Sequence, residues 1–310
     1  MTPPPIRIAV LVPCFNEAAA ITTVVADFRT ALPMAEIYVY DNNSSDRTIE
    51  IAREAGAQVR SERHQGKGHV VRRMFADVEA DIYLLVDGDA TYDAASAPRM
   101  IEMLIADHLD MVVAHRVDQV EAAYRPGHRT GNWLLTGFLT TVFGQGFEDI
   151  LSGYRVFSRR FVKSFPVLSD GFEIETELSV HALELAMPVA EIKTPYFARP
   201  EGSFSKLNTW RDGFRILGTI LKLYRSEKPL RFFGTLSILL ATISVALSIP
   251  VVITYVEEGL VPRLPTAVLS VGIMLVAVIS MFAGLILDTV SRGRREAKLL
   301  RYLAEPWLAR

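Results

Sequence analysis

Two stretches of this chain, Phe232 to Val256 and Thr266 to Leu287, contain no charged residue. At 25 and 22 residues, both exceed the roughly 20 residues a helix needs to cross a hydrocarbon core. Core helices of soluble domains seldom run so long without polar interruption. A transmembrane hairpin is therefore expected here, and it accounts for a mean hydropathy of +0.24 over the whole chain. Arg225, Lys228 and Arg231 precede the first stretch, and Arg292, Arg294, Arg295, Lys298 and Arg301 follow the second. The intervening EEGLVPR carries one arginine against two glutamates. The positive-inside rule then places both flanks, and so both termini, in the cytoplasm.

The region up to about residue 206 follows a different pattern, with short apolar runs alternating with helical ones. IRIAVLV (6–12), EIYVYD (36–41), AQVR, DIYLLVD and DMVVAHR read as strands. Glu17–Leu32, about 46–56, Gly68–Val78 and Ala97–Ala106 read as helices. Such alternation predicts an α/β fold with a largely parallel, Rossmann-like sheet covered on both faces. Ligands of such sheets sit beyond the carboxyl ends of the strands. The net charge of −2 provides no basic field, so nucleic acid is not an expected partner. The single cysteine, Cys14, excludes an intramolecular disulfide and a cysteine-rich zinc site. MTPPPIRIAVLVP lacks a basic n-region and is not expected to be a secretory signal.

Between the two regions, NTWRDGFRILGTILKLYRSEK repeats Trp210, Phe214, Leu217, Leu221 and Tyr224 at helical spacing beside a stripe of Arg211, Arg215, Lys222 and Arg225. A helix lying in the headgroup plane has this pattern. An ordinary helix packed on the sheet is the alternative. RTGNWLLTGFLTTVFG is a second apolar-faced candidate, for which core packing is equally open. The expected division is an α/β domain at 1–206, an interface helix at 207–229, a hairpin at 230–290 and a basic tail at 291–310.

Polar groups cluster at the strand ends: Asn16 and Glu17, then Asp41, then Lys67 in GKG, then Asp87 and Asp89 in DGDATYD. GKG lacks the third glycine of a dinucleotide fingerprint and the Ser or Thr of a P-loop. An Asp-x-Asp turn suits a hard divalent cation, Mg2+ or Mn2+. Solvation of a tight turn is the plainer alternative. Asp41 could accept hydrogen bonds from a base or ribose, or cap the following helix.

VPCFNE, DNNSSDRT, GKG and DGD, in that order, resemble the family-2 glycosyltransferases of A-type nucleotide-sugar fold. EDILSGYRVFSRRF and ARPEGSFSKL resemble their polyprenyl-phosphate branch, which includes dolichol-phosphate mannose synthase and bacterial undecaprenyl-phosphate enzymes. The resemblance implies a catalytic domain followed by a two-helix anchor in the inner membrane. It places Pro13, Phe15, Glu17 and Asp41 around the base and ribose, with Lys67 near the nucleotide. Asp87 and Asp89 become the metal pair, with Thr91 where the family has a glutamine ligand. Arg116, Arg129 and Arg199 would contact acceptor phosphate or donor diphosphate, with Ser205 and Lys206 close by; Arg125 competes with Arg129. Asp149 is read as structural or arginine-orienting. The implied reaction is inverting transfer from a nucleotide sugar, UDP-linked by preference, to a polyprenyl phosphate. A homo-oligomer, a tetramer, is the implied association. Two other readings remain: a processive polysaccharide synthase, although no Gln-x-x-Arg-Trp motif is found, and a silent nucleotide-sugar-binding scaffold.

Overall fold

A computed structural model describes residues 5–118, 137, 147–171, 173–200, 218, 221–222 and 224–308. The chain forms two units, Met1–Ile216 with Lys298–Arg310, and Leu217–Ala297.

The first unit is built on a seven-stranded sheet. Its strands are β1 (Ile8–Cys14), β2 (Glu36–Asp41), β3 (Gln58–Ser61), β4 (Ile82–Leu85), β5 (Met111–Asp118), β6 (Arg155–Ser158) and β7 (Val189–Tyr196). The helices of this unit are α1 (Ile21–Ala31), α2 (Thr48–Glu54), α3 (Lys67–Asp77), α4 (Ala97–Ala106), α5 (Arg159–Ser164) and α6 (Ile174–Glu184). The strand order is β3-β2-β1-β4-β6-β5-β7. β1 to β4 run parallel, as do β5 and β7, whereas β6 lies antiparallel between β4 and β5. The apolar runs form these strands because both faces are covered, so alternation is unnecessary. Val10, Leu11, Val12, Leu84 and Leu85 are fully buried.

The strand order reverses between β1 and β4. This switch point opens a crevice at their carboxyl ends, where Asn16, Asp41 and the DGD turn lie. α1 begins at Ile21, four residues later than the periodicity suggests. The Glu17 amide donates to Thr48 Oγ1 and the Glu17 carbonyl accepts from Ala20 and Ile21, so 17–20 form a turn that is anchored to α2.

The second unit contains α7 (Pro229–Glu258) and most of α8 (Leu264–Ala304), both long and apolar enough to cross a membrane. Their apolar side chains mostly face outward, and Ser244 Oγ donates to the Ser270 carbonyl at 2.6 Å to join the two helices.

The end of α8 belongs to the sheet unit. Lys298 pairs with Glu184, Tyr302 Oη donates to Asp110 Oδ2 at 2.7 Å, and Trp307 Nε1 donates to the Leu109 carbonyl at 2.9 Å. Trp307 and Leu308 pack against the sheet core. The segment read from its charges as a basic tail is thus helical to Ala304 and docked by hydrogen bonds and apolar contact.

Candidate active site

The end of β1 is tied to the end of β2. Asn16, at φ +53°, accepts from the Ser45 amide and its own amide donates to Ser44 Oγ. The Ser44 amide in turn donates to Asp41 Oδ2 at 3.1 Å, and Asp41 is 2% exposed. Its other oxygen, Oδ1, is buried with no hydrogen-bond partner in the described structure. Such an atom costs about 1–3 kcal/mol unless something donates to it. Glu17 and Cys14 are buried nearby in sequence, and Pro13 and Phe15 are half-buried.

β4 delivers the two acids of the DGD turn. Asp89 is buried, and its Oδ1 accepts from the Thr91 hydroxyl at 2.6 Å and from the Thr91 amide at 3.3 Å. Ala90, at φ +57°, turns the chain back so that these donors reach it. Thr91 therefore stands behind Asp89 and orients it. Asp89 Oδ2 meets Arg199 Nη2 at 2.7 Å. Burial, and then the charge of Asp87, push the Asp89 carboxyl above its ordinary range. Arg199 reaches it because β7 is clipped to the turn. Tyr92 bridges Tyr196, and the Phe197 amide donates to the Thr91 carbonyl at 2.9 Å.

Asp87 Oδ1 accepts from Lys67 Nζ at 2.5 Å, and the same ammonium donates to Glu175 Oε1 at 2.5 Å. Burial works against the Lys67 charge, but Asp87 and Glu175 together raise its pKa above the ordinary lysine value. Lys67 is thus bound to protein carboxylates at the first acid of the DGD turn. The glycines beside it have a packing role. A Cβ at Gly68 would lie 2.0 Å from the Ser169 carbonyl oxygen, so only glycine admits the 169–170 backbone here. That loop is held by Glu177, which accepts from the Leu168 and Ser169 amides at 2.8 Å. At Gly153 a Cβ would lie 2.5 Å from Asp87 Oδ2, so a side chain there would displace that carboxylate. Its amide donates to Tyr92 Oη at 2.9 Å.

Arg116, on β5, forms a two-point pair with Asp149, Nε to Oδ2 at 2.7 Å and Nη2 to Oδ1 at 2.8 Å, with its guanidinium over the Tyr196 ring. Burial alone would raise the Asp149 pKa, but the Arg116 hydrogen bonds and charge lower it. Asp149 is itself placed by Glu191, whose carboxylate accepts the Glu148 and Asp149 amides. Arg155 is fully buried and donates to the Ile150 and Ser152 carbonyls, fixing the loop between Asp149 and Gly153. Arg125, Arg129, Ser205 and Lys206 lie outside the described residues, as does most of 207–229.

Two neighbouring carboxylates, one of them raised in pKa by burial and then by the charge of the other, form a hard-oxygen donor set that a divalent cation would relieve. Among the described residues no group of three or more His, Cys, Asp or Glu completes an all-protein cage. The pair therefore fits an Mg2+- or Mn2+-type ion that takes its other ligands from phosphate and water. Glu175, Gly153, Tyr92 and Glu177 are the site residues that sequence reasoning missed. The glutamates of GFEIETEL were a visible signal, but nothing local links them to GKG.

The sheet order, the switch-point crevice and the paired strand-end acids define an A-type glycosyltransferase fold. The glycosyl transferase family 2 profile matches residues 9–165. Glycosyltransferase AglJ of Haloferax volcanii is 33% identical over 95% of this chain and 97% of its own length. The chain therefore belongs to glycosyl transferase family 2. A dolichyl-phosphate hexose transferase of Haloferax volcanii is 28% identical over 71% of this chain and 95% of its own. Glucosyl-3-phosphoglycerate synthase from Mycobacterium tuberculosis, solved with Mn2+, UDP and glucosyl-3-phosphoglycerate, shares the fold at a TM-score of 0.56. It is 22% identical and covers 69% of this chain and 80% of that one.

Proposed function

We propose that this glycosyltransferase moves a hexose from a UDP-sugar to a polyprenyl phosphate, with inversion, at the cytoplasmic face of a membrane held by α7 and α8. The observation that carries the reading is the Asp87–Asp89 pair at the end of β4, each acid held by its own cation. The unpartnered Asp41 Oδ1 adds an acceptor suited to a base or ribose donor. The dolichyl-phosphate hexose transferase among the relatives supports a lipid phosphate acceptor. The UDP and Mn2+ in the structural neighbour support the donor and the ion.

Asp87 and Asp89 would hold Mg2+ or Mn2+ against the donor diphosphate, where the ion supplies Lewis-acid neutralisation of the departing nucleoside diphosphate. The chain's own contribution is placement and screening. A phosphate monoester with a second pKa of about 6 is mostly dianionic near neutral pH and attacks the anomeric carbon without a strong general base. Two anions must approach each other, so cations at fixed positions count for most. Arg199 sits on Asp89 and can pass its charge to phosphate once that acid has another partner. Arg116, aligned by Asp149, presents a guanidinium that keeps its orientation. Arg129 and Lys206 would add to this set from outside the described residues.

The test uses the full chain in nanodiscs with radiolabelled UDP-hexoses, a short-chain polyprenyl phosphate, and Mn2+, Mg2+ or EDTA. The expected product is a lipid-linked monosaccharide that disappears with EDTA. Polymer would identify a synthase instead, and absence of turnover with every donor would indicate a non-catalytic role.

A further inference from the structure

We propose that Glu175 is a positioning residue for the cation–diphosphate site, acting through Lys67 to set how much negative charge Asp87 presents. The inference rests on the metal assignment made above for Asp87 and Asp89. Glu175 lies in the first turn of α6, 108 residues from Lys67 in sequence, with its side chain 7% exposed. Its carboxylate and that of Asp87 share one ammonium, each at 2.5 Å.

The sharing has an electrostatic consequence. A lysine bonded to Asp87 alone would close an ion pair of net charge zero, and that carboxylate would be a poor cation ligand. With Glu175 on the same ammonium, the three directly bonded groups sum to −1, and the attraction of Lys67 is divided between two acids. Asp87, whose side chain is 30% exposed against 8% for Lys67, is the acid of the cluster open to a ligand. Arg155, buried close enough to feel the Glu175 charge, donates to the Ser152 and Ile150 carbonyls and to Ser179 rather than to Glu175, and is unchanged in every variant below. Lys67 is fixed from behind, because Gly68 sits tight against the 169–170 backbone that Glu177 holds. Its ammonium sits 2.5 Å from both carboxylates, so the charge balance at Asp87 is set by that sharing. Partners behind a metal ligand tune affinity in this way.

The experiment measures Mn2+ binding in the presence of UDP, with no sugar and no acceptor, from the EPR signal of free Mn2+ above full-length protein in nanodiscs. Glu175→Gln makes the cluster neutral and should weaken Mn2+ binding about 10-fold. Lys67→Met combined with Glu175→Gln returns it to −1, carried by Asp87 alone, and should recover affinity to within about 3-fold of the wild type. A purely structural Glu175 predicts the reverse, a double variant at least as impaired as the single. The double variant removes both partners at once and leaves Asp87, whose side chain is 30% exposed, within reach of water, so it keeps the test decisive if Glu175→Gln does not fold: loss of Mn2+ binding in a folded double variant overturns the inference. Unchanged affinity in Glu175→Gln overturns it as well. Absence of Mn2+ binding in the wild type overturns the metal assignment itself, whereas wild-type binding with variants out of order overturns only the role of Glu175.

Discussion

The sheet unit and the two-helix unit bury polar atoms by opposite rules. At the crevice end of the sheet, charge is buried against charge: Lys67 between Asp87 and Glu175, Arg199 on Asp89, Arg116 on Asp149. In the helix pair, every buried polar residue among those described is a serine. The hydroxyls of Ser280, Ser270 and Ser244 donate to the carbonyls of Val276, Ala267 and Ser270. Buried ion pairs are poor stabilisers, because desolvation consumes most of the Coulomb energy. Those at the crevice are therefore better explained by the anions to be handled there than by stability. The helix pair has no such need, and in an apolar surrounding a paired hydroxyl is the cheapest polar group to bury.

The strongest test of the comparison removes a rim acid. Asp89→Ala is expected to lower transfer by about 10³-fold, the scale of a lost electrostatic contact at a reacting centre. A single cooperative unfolding transition should persist, because Arg199, left without that acid, is 29% exposed and can be solvated. Full activity in this variant would remove the functional reason for the charged rim. Next in size is Arg116→Ala, which leaves Asp149 buried and charged and should destabilise the sheet unit by about 3 kcal/mol, read as a fall in denaturation midpoint. A smaller loss would mean that Asp149 takes up a proton or finds another donor. The smallest effect belongs to the helix pair. Ser244→Ala should cost about 0.6 kcal/mol and leave Mn2+ and UDP binding unchanged. A large loss of binding from that substitution would break the separation between the two units.

Much of the site was legible because it follows strand ends. A run such as IYLL can stop only where the backbone turns into the crevice, so Asp87 and Asp89 could be placed by counting. Asp41 follows from EIYVYD in the same way. The antiparallel β6 and the later β7 were not legible, since nothing in RVFS or VAEIKTPY declares its neighbour. GKG was noticed, but its glycines answer to the 169–170 backbone, a contact no local pattern announces. In sequence Tyr302 and Trp307 are only part of a charged tail, although they dock 192 and 198 residues away on Asp110 and Leu109.

By itself the sequence determined the alternation that makes a mostly parallel sheet, the acids at its strand ends, and two helices too apolar to be ordinary surface helices. These follow from periodicity and composition, which act over a few residues. Only the tertiary structure decided that Lys67 serves Asp87, that Glu175 shares it, that Arg199 caps Asp89, and that Thr91 stands behind that acid. Those are pairings of charges and donors brought together by the sheet order and α6, and in a buried crevice each polar group is defined by the partner that compensates its lost water.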